Sequence, residues 1–293
     1  MQLSAPVLIC LALTPIAWGY NWVVIKRSTE LAPIIPFVSA RLLLAALVLF
    51  ATALLLRRSL RISHPIWVLA IGLVNTALSF LLMMWGVEVS HAGRSAILVY
   101  TMPFFVALLA WPVLGERPGR AQWLASAIAL TGILLLLDPS RRPHLSDLYL
   151  LGSGLAWAAG VVMIKRYQLR CSDDPIALCA WQNLAGALAL ALFALPGGLG
   201  QWQWGETYLY FALVYNGAIV SGLSLVLWFW LLRRVDSGIA SLSTLAAPVV
   251  GLLSSMVELG ERPAPSDWAG IALVLFALSL IGLSQLRSRP RTS

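Results

Sequence analysis

The sequence predicts an all-α integral membrane protein, and three observations support this fold class. The chain is 60% hydrophobic and only 11% charged, whereas a soluble domain carries about 25% charged residues. Its apolar residues form runs of about 20, the length at which a helix crosses the hydrocarbon core of a bilayer. The net charge of +8 comes from Lys and Arg residues that lie between these runs. This charge is therefore attributed to membrane loops rather than to nucleic acid binding, and no nucleic acid partner is expected.

Ten apolar runs are separated by proline, glycine and charged clusters, and each is predicted to form one transmembrane helix. The first run follows only Met1–Pro6 and has no basic leader, so it is expected to be a retained helix rather than a cleaved signal. The fifth run is short and the eighth is long, so the helix tilt is expected to vary. In chain order the predicted spans are 5–25, 34–56, 66–87, 94–114, 121–137, 146–165, 175–195, 206–232, 238–259 and 266–286.

The distribution of Lys and Arg predicts the orientation of the chain. If the N-terminus is cytoplasmic, the inside loops and the tail hold 13 of the 20 basic residues and the outside holds six. Arg41 is left within the second span. Because basic residues concentrate on the cytoplasmic side of membranes, both termini are expected in the cytoplasm.

The pentapeptide LGERP occurs twice, at Leu114–Pro118 and at Leu259–Pro263, 145 residues apart. The copies end predicted helices four and nine. Five spans separate them, and an odd number of spans places the copies on opposite faces of the membrane, as in an inverted-topology repeat. The same offset relates the pairs Ser79 and Ser224, Gly93 and Gly238, Pro103 and Pro248, and Trp123 and Trp268.

A second match relates the first helix of each half. WGYNWVVIKR at 18–27 aligns with WAAGVVMIKR at 157–166, at an offset of 139. The chain is therefore predicted to contain two repeats, 1–140 with helices one to five and 141–293 with helices six to ten.

Several motifs carry a resemblance to a known family. They are WGYNWVVIK in helix one, ARLLLAAL at Ala40–Leu47, both LGERP copies, and SDLYLLGSGLAWAAGVVMIKR at Ser146–Arg166. In this order the sequence resembles the drug/metabolite transporter superfamily, in its ten-helix EamA-type branch, and it is most similar there to bacterial aromatic amino acid exporters. The resemblance covers nearly the whole chain. It implies two five-helix repeats around a central cavity, lined mainly by helices 1, 3, 4, 6, 8 and 9, and export of small metabolites, often amino acids.

Polar and aromatic side chains at helical spacing are the candidate lining of this cavity. Asn75, Ser79 and Met83 share one face of helix three, and helix eight carries a similar stripe. Polar groups without partners are costly in hydrocarbon, which favours an inward position, although interhelical hydrogen bonding would produce the same pattern. The predicted lining residues are Trp18, Asn21, Asn75, Ser79, Phe80, Met83, Tyr100, Trp157, Met163, Asn216, Ser224 and Trp228.

Two prolines are predicted to act as hinges. Pro103 and Pro248 lie near the middle of predicted helices four and nine. Because proline lacks an N–H and clashes with the carbonyl four residues back, each helix should kink and free the carbonyls of Val99 and Thr244. The alternative interpretation is an ordinary kink of a membrane helix.

The charged residues near the helix ends form a predicted charged mouth at each side. Lys26 and Lys165 end the paired first helices and could attract a substrate carboxylate, although a lysine that reaches the interface is the plainer interpretation. Arg41 is assigned to the same group and is expected to pair with a helix-end carbonyl or an acidic side chain. Glu116 and Glu261 are expected to pair locally or to cap loop N–H groups.

The sequence lacks the signatures of a membrane enzyme. The three histidines fall in predicted loops, the three cysteines show no paired spacing, and no HExxH, GxSxG or Walker-type motif is present. No catalytic residue, metal, cofactor or ATP-binding subunit is therefore expected. The predicted function is secondary transport by alternating access, exporting small amphipathic metabolites, chiefly aromatic or other apolar amino acids. A drug exporter is the alternative, and a non-transport membrane protein is a further one. The expected partners are a small-molecule substrate and the bilayer, with the chain a monomer or dimer.

Overall fold

The computed structural model describes residues 4–137, 144–194, 201–235 and 243–287, and these residues form helices and contain no strand. Eight helices are long and apolar enough to cross a membrane, while Ala246–Glu258 and Asp267–Leu280 are shorter apolar helices. The predicted all-α membrane fold is confirmed, and the count of ten crossings stays a prediction. The described helices are α1 (Ala5–Leu31), α2 (Ile34–Leu55), α3 (Pro65–Val89), α4 (Ala92–Leu114), α5 (Arg120–Leu137), α6 (Leu145–Gln168), α7 (Pro175–Ala194), α8 (Thr207–Leu231), α9 (Ala246–Glu258) and α10 (Pro265–Arg287).

The outside of the bundle is apolar. Leu55 and Val257, for example, are 84% and 87% exposed. Side chains of this kind on the outer faces of apolar helices are suited to contact with lipid tails.

Most helices begin and end close to their predicted bounds, with two differences. Helix α1 continues to Leu31, beyond the predicted end at residue 25. It does so because Lys26 and Arg27 find partners within the bundle, with backbone oxygens and with Glu258, and therefore do not mark the end of the helix. The predicted span 238–259 begins in residues that lie outside the described part of the chain.

Helix α4 is interrupted before Pro103. Its segments are Ala92–Val99 and Met102–Leu114, and between them the Thr101 hydroxyl donates to the Leu98 carbonyl at 2.6 Å. Pro103 therefore lies in the first turn of the second segment, where a missing N–H is tolerated. Similarly, Pro248 is the third residue of Ala246–Glu258 and therefore lies in the first turn of that helix, while the beginning of the predicted span lies outside the described residues.

Helices α3 and α8 each contain a π-helical stretch, at Gly72–Leu78 and Val214–Leu223. Each stretch includes a glycine, Gly72 or Gly217, and the two are 145 residues apart. A Cβ atom at Gly72 would lie 2.6 Å from the Gln182 carbonyl oxygen of α7, and one at Gly217 would lie 2.8 Å from the Arg41 carbonyl oxygen of α2. Glycine is required at both positions because the helices approach too closely for a side chain.

Corresponding helices of the two halves of the chain make corresponding contacts. Helix α1 packs against α9 as α6 packs against α4, and α2 packs against α8 as α7 packs against α3. Helix α2 also contacts α7, and α5 contacts α10. Each half therefore contributes equivalent surfaces to the bundle.

Candidate substrate pathway

Two cavities lie beside the two LGERP segments and differ greatly in size. The cavity beside the first copy, which we name the GER1 cavity, has a volume of about 460 Å³ and lies between α4 and α6. The cavity beside the second copy, the GER2 cavity, has about 20 Å³. A small-molecule site occupies roughly 300–1,000 Å³, so only the GER1 cavity of these two has room for a small ligand.

The two cavities are lined in part by equivalent positions of the two halves. Five residues that line the GER1 cavity are each 145 residues before a residue that lines the GER2 cavity. These five positions therefore border a large volume in one half and a very small one in the other. The corresponding pairs are Ala107 and Leu252, Ala110 and Ser255, Glu116 and Glu261, Pro118 and Pro263, and Gln122 and Asp267.

Glu261 closes the GER2 end by binding the first turn of α4. Its carboxylate oxygens accept hydrogen bonds from the N–H groups of Ala92 at 2.7 Å and Gly93 at 3.0 Å. A carboxylate at a helix N-terminus satisfies unpaired N–H groups and interacts favourably with the helix dipole. A Cβ atom at Gly93 would lie 2.5 Å from the Ser255 hydroxyl of α9, so α4 and α9 are in close contact here.

Glu116 lies at the opposite end of α4 and has a different partner. Its carboxylate oxygens are 2.6 and 2.8 Å from Lys165 Nζ, and both side chains are about half exposed. The LGERP copies therefore lie at opposite ends of one helix. Neither glutamate pairs with a residue near it in the chain, because their partners are 49 and 169 residues away, but Glu261 does accept hydrogen bonds from backbone N–H groups, the other role expected for it.

The two lysines predicted at the mouths both have protein partners. Lys165 binds Glu116, and Lys26 Nζ donates to the backbone oxygens of Val87 at 2.9 Å and Glu88 at 2.7 Å, in the last turn of α3. A substrate carboxylate would have to displace these partners to bind either lysine.

Arg41 is fully buried, so its assignment to a charged mouth is wrong. Its Nη2 donates to the Ser221 hydroxyl at 3.1 Å, and its guanidinium lies over the Phe80 ring at 4.4 Å. The expected carbonyl or acidic partner is not found in the described part of the chain, where Nε and Nη1 have no hydrogen-bond acceptor. A charged side chain at the centre of a membrane helix costs at least about 2.5–3.5 kcal/mol, so this arrangement requires an explanation.

The predicted polar stripes are buried between helices. Asn75 Nδ2 donates to the Trp157 carbonyl oxygen at 3.2 Å and Asn216 Nδ2 to that of Ala212 at 3.0 Å. Three buried polar atoms of the predicted lining residues have no hydrogen-bond partner among the described residues, and they are Asn21 Oδ1, Ser79 Oγ and Asn216 Oδ1. Buried polar groups are normally paired, directly or through water, so these atoms can accept hydrogen bonds from a ligand or from water.

The predicted aromatic residues form contacts across helices. Phe80 and Trp157 pack edge to face with ring centroids 5.4 Å apart, and Trp18 lies 5.6 Å from Trp228. Tyr100 lies 6.4 Å from Trp22, which was not predicted.

Among the predicted cavity and hinge residues, only Pro103 lines the GER1 cavity. Met83 and Ser224 are buried among the helices, and Met163 packs in a separate apolar cluster around Tyr167. Sequence reasoning missed Ser221 as the partner of Arg41 and Val161 as part of the cavity wall. Neither could be recognised from spacing, because their partners lie in distant helices.

A polar cluster joins two loops near the end of α6. Asp173 accepts hydrogen bonds from the Ser63 N–H at 2.8 Å, from the Ser63 hydroxyl at 2.7 Å and from the Tyr167 hydroxyl. Desolvation alone would raise the pKa of Asp173, but these hydrogen bonds outweigh it and hold the pKa below its ordinary value. Across the described residues, no group of three or more His, Cys, Asp or Glu could hold a metal ion.

Comparison with known proteins identifies relatives over nearly the whole chain. The sequence profile of the EamA-like transporter family matches residues 5–138 and again 144–283. The uncharacterized transporter YoaV of Bacillus subtilis is 27% identical over 84% of this chain and 86% of its own. The uncharacterized inner membrane transporter YedA of Escherichia coli is 26% identical over 92% of this chain and 88% of its own. One solved crystal structure has a TM-score of 0.67 at 20% identity, covering 96% of this chain and 98% of that chain, which shows a shared fold.

Proposed function

Because the chain belongs to the EamA-like transporter family, we propose that it is a secondary transporter that exports small amphipathic metabolites, chiefly amino acids with aromatic or other apolar side chains. The observation that carries the proposed mechanism is the difference between the two cavities at equivalent positions, about 460 Å³ at GER1 and about 20 Å³ at GER2. If the two halves exchange conformations, the GER1 cavity closes and the GER2 cavity opens. That exchange is alternating access.

The proposed architecture has ten spans in two inverted repeats, 1–140 and 141–293. It is supported by the positions of Glu116 and Glu261 at opposite ends of α4 and by the helix contacts shared between the halves. Both termini are proposed to be cytoplasmic, in a bacterial inner membrane. The GER1 cavity would then face the cytoplasm, the side from which an exporter loads its substrate.

The substrate class is proposed from the described residues that line the GER1 cavity and from the polar and aromatic side chains buried between the helices. Among the described residues that line the GER1 cavity, the acidic side chain is Glu116, and Lys165 neutralises it, so these residues offer no free anion to a cationic drug. The buried oxygens of Asn21 and Asn216 can accept hydrogen bonds from an ammonium group, while Phe80 and Trp157 offer aromatic surface. Neutral polar atoms with aromatic neighbours suit a zwitterion with an apolar side chain.

Transport by the purified protein in proteoliposomes tests this function. Labelled phenylalanine and leucine should exchange across the membrane, with and without a pH gradient, and tetraphenylphosphonium should not. Liposomes without protein give the background. The variant Leu55→Ala, on the lipid-facing surface, is a control that should retain the wild-type transport rate. Transport of the organic cation without transport of either amino acid would favour the drug-exporter alternative.

A further inference from the structure

Arg41 is a buried cation whose donors are only partly used. The side chain is inaccessible to solvent, and Ser221 is its hydrogen-bond partner. No carboxylate of the described residues forms an ion pair with it, and its Nε and Nη1 have no acceptor there. A guanidinium carries five N–H donors in a planar fork, and it binds carboxylates through two parallel hydrogen bonds. The available donors therefore suit a planar anion.

The surroundings of Arg41 suit an apolar group next to that anion. Phe80 lies under the guanidinium at 4.4 Å, and Trp157 packs edge to face against Phe80 at 5.4 Å. Aromatic faces of this kind bind both a cation and an apolar side chain.

A chain of contacts connects the GER1 cavity to Arg41. Val161 lines the cavity, and Trp157 lies four residues earlier on the same face of α6. Trp157 contacts Phe80, which in turn contacts Arg41. Because Arg41 is fully buried, a ligand that approaches along these contacts reaches it when the contact between Phe80 and Trp157 opens.

We propose that Arg41 binds the carboxylate of the transported substrate, with Phe80 and Trp157 beside the substrate's apolar group. This inference rests on the proposed transport function and adds to it the residue that selects the substrate class. The transporter should bind small carboxylates with an apolar side chain and discriminate against amines that lack the carboxylate. Lys26 and Lys165, the lysines first considered for this role, already have protein partners.

The competing explanation is structural, in which Arg41 only links α2 to α8 through Ser221. Binding measurements on the purified protein, by scintillation proximity or by ligand-induced thermal stabilisation, distinguish the two roles. The probes are phenylalanine, phenethylamine, which lacks the carboxylate, and 3-phenylpropionate, which lacks the ammonium group. The wild type should bind phenylalanine at least tenfold more tightly than phenethylamine.

The variants are Arg41→Met, which removes the charge, and Ser221→Ala, which removes only the structural partner. Arg41→Met should weaken phenylalanine binding at least tenfold and leave phenethylamine binding within twofold of the wild type. Ser221→Ala should keep the preference for phenylalanine. A monodisperse Arg41→Met protein that keeps the wild-type preference would overturn the inference. If Arg41→Met does not fold, the wild type decides, since equal affinity for phenylalanine and phenethylamine also overturns it.

The probes also separate this inference from the proposed function. Binding of 3-phenylpropionate through Arg41 without transport of any amino acid would support the carboxylate site and contradict the amino acid assignment. Transport of phenylalanine at equal affinity by the wild type and Arg41→Met would support the function and contradict the site. Failure to bind either carboxylate would contradict both.

Discussion

Replacement of Glu261 by glutamine is expected to open the GER2 end of the bundle. The carboxylate of Glu261 holds the first turn of α4 through the N–H groups of Ala92 and Gly93, at 2.7 and 3.0 Å. Glutamine retains one acceptor oxygen but replaces the other with an NH₂ donor, which cannot accept a hydrogen bond. The variant therefore loses one of the two bonds and the interaction of a negative charge with the helix dipole.

The size of this effect follows from the bonds that are lost. A hydrogen bond to a charged group contributes about 1.5–3 kcal/mol and the helix dipole about 0.3–1 kcal/mol. Solvation of the open state offsets part of this, so a net change of about 1–2 kcal/mol is expected. Because 1.4 kcal/mol corresponds to a factor of ten, the ratio of open to closed GER2 should rise roughly 5- to 30-fold. The matched variant Glu116→Gln removes only an exposed ion pair, worth about 0–1 kcal/mol.

Cysteine accessibility measures this opening. A single cysteine replaces Leu252, which lines the GER2 cavity and is 4% exposed, in a protein without the three native cysteines. Its rate of reaction with a membrane-impermeant thiol reagent should rise roughly 5- to 30-fold with Glu261→Gln, by the populations worked out above. Cysteine at Ala107, the equivalent position of the GER1 cavity, should become less reactive. An unchanged rate at position 252, or an equal rise caused by Glu116→Gln, would refute the reasoning.

Three further variants test the packing, the hinges and the polar loop cluster. Gly160→Ala should lower the unfolding temperature, because its Cβ would overlap the side chain opposite on α3 and overpacking costs about 1–3 kcal/mol. Gly152→Ala is the control on the same helix, because its Cβ would lie 3.4 Å from the nearest atom. Pro103→Ala should leave the protein folded, lower transport and shift accessibility from one cavity toward the other, and Pro248→Ala should shift accessibility the opposite way. Unchanged transport and accessibility in both variants would identify the prolines as ordinary kinks. Asp173→Asn should lower thermal stability at pH 7, and the difference from the wild type should shrink as the pH falls below about 3.9 and vanish below the folded pKa of Asp173. The pKa of Asp173 is lowered by folding, so its contribution is present above the unfolded pKa of about 3.9 and is lost as the pH falls through the folded pKa. A difference that does not shrink as the pH is lowered below about 3.9 would contradict this assignment.

The helices could be predicted because each apolar run must satisfy its own backbone hydrogen bonds in lipid. The LGERP offset likewise identified positions that form equivalent cavities. The break in α4 could not be placed from Pro103 alone, because the proline occupies the first turn of a new segment and the interruption falls before it.

The partners of the charged residues could not be predicted from the sequence. Glu116 and Glu261 occupy equivalent positions, yet one binds Lys165 and the other binds the N-terminus of α4. This difference depends on which distant residues each loop contacts, which the local sequence does not encode. Arg41 was assigned to a mouth from its position along α2, but the packing of α8 and Phe80 buries it completely.

Two distances within the same protein test alternating access most directly. One label pair spans the GER1 end, at Gly119 and Leu169, and the other spans the GER2 end, at the equivalent positions Ala264 and Glu30. Double electron–electron resonance in nanodiscs, with and without phenylalanine, reports the distance distribution of each pair. The two ends should change in opposite directions, so that a shorter distance at GER1 accompanies a longer one at GER2. Distances that move together, or that do not respond to any transported substrate, would contradict alternating access.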